Sequence, residues 1–115
     1  MSSRPVIGVV PSFDDGDGVV LFPGPKTERI YIRTEYLRVL ASVGAVPIVL
    51  SPDMSLGMVK DICDGVVISG GFDIDSSAYG EAQLGNEPLE PMKRFMWEER
   101  LIEACDAAKI PIFGI

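Results

Sequence analysis

Gly70-Gly71 stands where the apolar run Val66-Val67-Ile68 gives way to a loop containing Gly and Pro. Two glycines at such a point let the backbone turn and leave its N–H groups uncovered, the arrangement that stabilises a developing oxyanion. A tight turn needing positive φ would use the same pair, and both readings stay open. In the same loop, Asp73-Ile74-Asp75 brings two carboxylates close together, as a metal ion or an acid/base pair would require. The chain has no His and no further carboxylate at ligand spacing, so these read as solvated-loop and capping groups, and no metal is expected. Asp14-Asp15-Gly16-Asp17-Gly18 has the opening of a calcium loop, but the oxygen ligands do not continue and the bidentate glutamate is missing. Gly24-Pro25-Lys26-Thr27 lacks the spacing of a phosphate loop, and Pro25 removes an N–H that such a loop would use.

Cysteine chemistry is weighed in the same way. Cys105 falls on the apolar stripe of a helix, and Cys63 lies just before the Asp64-Gly65 turn, so both read as small core residues. Neither has a histidine to deprotonate it, and the 115 residues hold no complete nucleophile–base pair.

The elements that carry these residues follow from periodicity. Pro5 to Val10 is a first apolar strand closed by Pro11, and Ser12 to Lys26 reads as a long loop at its carboxyl end. Thr27 is the expected N-cap of a helix whose apolar side is Ile32, Tyr36, Val39, Leu40 and Val43, ended by Gly44. Val46 to Leu50 is a second strand, and Asp53 is the expected cap of a short helix through Ile62. Val66 to Ile68 is a third strand, followed by a loop from Phe72 to Glu90. Pro91 opens a last helix with Met92, Phe95, Met96, Ile102 and Cys105 as its apolar stripe. Ile110-Pro111-Ile112-Phe113-Gly114-Ile115 reads as a fourth strand, covered on both sides and central in its sheet. Alternating strands and helices imply a parallel sheet with helices on its faces.

Composition bounds the function. At 115 residues the chain suffices for one domain, and 47% hydrophobic with 23% charged residues marks it as folded. A net charge of −7 argues against nucleic acid or an anionic membrane as partner. No run approaches the roughly 18 apolar residues of a membrane helix. Two cysteines and the absence of a signal-peptide pattern make the cytoplasm the expected compartment.

Several blocks together resemble the γ-glutamyl-γ-aminobutyrate hydrolases of the class I glutamine amidotransferase-like superfamily. They are Arg4-Pro5-Val6-Ile7-Gly8-Val9, Tyr36-Leu37, Val43 to Pro47, Asp64 to Asp75, Tyr79-Gly80-Glu81 and Ile110 to Ile115. The resemblance covers nearly the whole chain in order. The Asp-Gly to Gly-Gly-x-Asp block followed by Tyr-Gly-Glu is its most specific part. It implies a flavodoxin-like open parallel sheet with helices on both faces, incomplete at the carboxyl end, with residues 1–115 the first part of a single domain. It further implies that a cysteine attacks a γ-glutamyl amide, with a histidine as base and a glutamate orienting the histidine. That cysteine is expected directly after Ile115, so these 115 residues alone are expected to be inactive. Gly70 and Gly71 then match the oxyanion-side loop, Gly114 and Ile115 the approach to the nucleophile elbow, and Phe72, Asp73 and Tyr79 the loop beside the substrate pocket. No cofactor is implied, the partner is a small γ-glutamyl substrate, and homo-oligomerisation is left open. One departure stands out: the family's Arg-Asp pair at the start of the last helix reads Arg94-Phe95 here. The rival reading is a non-catalytic α/β binding or regulatory module lacking the catalytic half.

Overall fold

The computed structural model describes residues 4–14, 27–69, 73–74, 89–90 and 92–115. Short β-branched runs form the strands, because such side chains pack well on a pleated surface. β1 (Val6–Val10), β4 (Val46–Val49), β5 (Gly65–Ile68) and β8 (Ile112–Gly114) make one parallel sheet in the order β4-β1-β5-β8. Numbered along the chain as the sheet's own first to fourth strands, this is the order 2-1-3-4, that of flavodoxin-like folds. The registers pair Val6 with Val46, Ile7 with Gly65, and Ile68 with Gly114. Asp64 sets the start of β1 against β5, since its carboxylate accepts from the Val6 N–H at 2.7 Å while its own N–H donates to the Val6 carbonyl at 2.8 Å.

Helices α1 (Thr34–Ser42), α2 (Leu56–Ile62) and α3 (Met92–Ala107) join the strands. α2 and α3 bury one sheet face, where Val10, Leu50, Val59, Val66, Trp97 and Leu101 belong to one core cluster. α1 lies on the opposite face, where Tyr36, Val39 and Leu40 bound an apolar cavity of about 370 Å3 with Val67, Phe113 and Ile115. None of the helices in the described residues is long and apolar enough to cross a membrane.

Several sequence expectations are corrected. The stretch from Ser12 is not all loop: β2 (Ser12–Asp14) pairs antiparallel with β3 (Arg29–Tyr31), placing Phe13 opposite Ile30 and Asp14 opposite Arg29. An ion pair at 3.7 Å joins Asp14 and Arg29. The first helix therefore starts at Thr34 rather than after Thr27, and Ile32 lies outside it. Gly44 does follow that helix with φ +88, a conformation a Cβ would strain. α2 is capped by Ser55, whose Oγ accepts from the Met58 N–H at 3.1 Å; Asp53 instead sits in the turn before it, donating its N–H to Ser51 Oγ.

On α3 the buried positions are Arg94, Trp97, Leu101 and Cys105, while Met92, Met96 and Ile102 face outward. The covered stripe thus runs through an arginine. β8 is the last strand of the described sheet, paired with β5, and Phe113 is 66% and Ile115 62% exposed among the described residues. Between the Phe72 and Glu90 positions, β6 (Asp73–Ile74) and β7 (Leu89–Glu90) pair in parallel as a two-stranded ribbon.

Gly8 marks the closest approach of β1 to the core. A Cβ there would lie 2.9 Å from both Cys63 Sγ and a Leu50 methyl carbon, and both neighbours are buried. Gly8→Ala is therefore expected to destabilise the protein by about 1–3 kcal/mol, the usual cost of overpacking. Urea unfolding checks this, and an unchanged midpoint would show that the core yields.

Candidate functional site

In an open α/β sheet the crevice lies outside the carboxyl ends of the strands, where the strand order reverses. In the order β4-β1-β5-β8 that point falls between β1 and β5. The chain buries polar side chains there: Ser12 and Asp14 just past β1, Ser69 just past β5, and Arg94 from the first turns of α3. Buried polar groups persist only when they are paired, and the pairing here is dense. Arg94 donates from Nη2 to the Ser69 carbonyl at 2.7 Å, from Nη1 to Ser12 Oγ at 3.1 Å and from Nε to the Glu98 carboxylate at 2.7 Å. The Ser69 hydroxyl donates to the Val10 carbonyl at 2.6 Å, joining the ends of the two strands directly. Phe13 stacks on Trp97 with ring centroids 5.5 Å apart, closing the apolar side of the cluster.

The next strand reaches the same end. Ile115 donates its N–H to the Ile68 carbonyl at 3.0 Å, one residue beyond the Ile68–Gly114 register pair. Gly114 and Ile115 thus run alongside Ile68 and Ser69. A Cβ on Gly114 would meet nothing within 4 Å among the described residues, so packing against them does not require glycine. Asp73 belongs to β6, backbone-paired with Leu89. Gly70, Gly71, Phe72 and Tyr79 lie outside the described residues.

The residues that sequence reasoning missed are Ser12, Ser69 and the pairing of Arg94. A signal existed for Arg94: it precedes Trp97, Leu101 and Cys105 by 3, 7 and 11 residues, one helical face, and an arginine on a buried face needs partners. The carboxylate that meets it stands one turn on at Glu98, not at the adjacent Phe95.

Both cysteines are buried free thiols. Burial pushes the Cys63 thiol above its ordinary 9.0, helped by nearby Cys105 and Asp64 and opposed by a hydrogen bond with the Gly8 backbone. Burial likewise raises Cys105, against a smaller opposing pull from Lys60. A thiol held protonated in this way is a poor nucleophile. The structure therefore supports the core role read for both.

Comparison with known proteins adds a family. The family described as Peptidase C26 matches residues 5–115. A protein of Mycobacterium tuberculosis named "Putative glutamine amidotransferase Rv2859c" is 29% identical over 119 residues, which cover 99% of this chain and 37% of that protein. The chain thus spans little more than a third of the curated relative's length.

Two outcomes are expected from this site. Arg94→Ala leaves the Ser69 carbonyl and the Glu98 carboxylate without their guanidinium, and is expected to lose about 3–5 kcal/mol of stability, read by chemical unfolding. A loss below 1 kcal/mol would mean that water replaces the guanidinium there. The thiols give the second. Their folded pKa values are raised, so the stability they contribute is complete below about pH 9 and is lost as pH rises through the raised values. At about pH 8, iodoacetamide is expected to leave Cys63 and Cys105 unmodified in the native protein and to label both in denaturant.

Proposed function

The chain belongs to the peptidase C26 family, and on that footing we propose that it is the first part of a cysteine-dependent amidase domain acting on a γ-glutamyl amide, of which γ-glutamyl-γ-aminobutyrate is the type. The observation that carries this reading is the course of β8. Its last backbone bond, from Ile115 to Ile68, lies at the carboxyl edge beside Ser69, where two strands already meet in a buried polar cluster. A nucleophile expected directly after Ile115 would emerge there.

In this reading the thiolate attacks the γ-carbonyl carbon, forming a C–S bond and an oxyanion. Backbone N–H groups of Gly70 and Gly71 receive the oxyanion, with Phe72, Asp73 and Tyr79 beside the substrate. The C–N bond then breaks, a histidine beyond these 115 residues giving its proton to the leaving amine. Water, deprotonated by the same histidine, cleaves the thioester to release glutamate and restore the thiol. The core thiols Cys63 and Cys105 stay out of the chemistry, since both are buried and protonated.

The test uses the full-length protein and γ-glutamyl p-nitroanilide. Turnover is expected, with replacement of the cysteine after Ile115 by alanine lowering kcat by about 1,000-fold or more. The 115-residue chain by itself is expected to release no p-nitroaniline, and turnover by that chain would overturn the mechanism.

A further inference from the structure

We draw no further inference here: the strongest candidate, the apolar cavity of about 370 Å3 between α1 and the β5–β8 face, bounded by Val39, Val67, Phe113 and Ile115, carries nothing because nothing in the structure shows what covers it.

Discussion

A guanidinium cannot be taken out of water unless its donors are met, and the carboxyl end of this sheet is built around that requirement. An unpaired buried charge costs several kcal/mol, whereas one with its hydrogen bonds satisfied can be tolerated. Arg94 is met by a carbonyl from β5's end, a hydroxyl from β1's end and a carboxylate one helical turn away. The position of α3 over the sheet follows from this: once Arg94 faces inward, helical geometry carries Trp97, Leu101 and Cys105 inward with it. Electrostatics and packing thus select the same face.

The opposite arrangement holds at the middle of β1. There the constraint is space, because Gly8 sits against Cys63 and Leu50 with no room for a side chain. The thiol that fills this gap is small, apolar in behaviour and kept neutral by its surroundings. Two kinds of cysteine are therefore expected in one domain: those that fill the core, and one whose reactivity would depend on a partner base.

Much of the sheet was legible because its strands are short apolar runs punctuated by Asp64-Gly65, Gly44 and Pro11, each a residue with a definite backbone preference. The β2–β3 ribbon was not. Each strand is three residues long, and what specifies it is the pairing of Phe13 with Ile30 and Asp14 with Arg29, which no local pattern announces. The face of α3 was misread because Met92, Met96 and Ile102 are as apolar as the residues that are buried; the arginine decides the rotation, through partners far away in sequence. The same applies to the site. Glycines at a strand end are visible in a sequence, but the clamp on Ser69 is a tertiary fact. Membership of the peptidase C26 family follows from a match over residues 5–115, while Gly70, Gly71, Phe72 and Tyr79, on which the proposed pocket draws, lie outside the described residues.

The strand order has a temporal side. β1, made first, lies in the interior of the sheet, and β4 and β5 add to its two edges before β8 adds to β5. Each strand therefore finds its partner already synthesised, and the sheet is able to grow in the direction of translation. The clasp between Arg94 and Ser12 spans 82 residues of chain. Loop-closure entropy grows only slowly with length, so that separation adds little once β1 and β5 are paired. The carboxyl end of the sheet can therefore be clasped as soon as α3 is synthesised, before β8 is added.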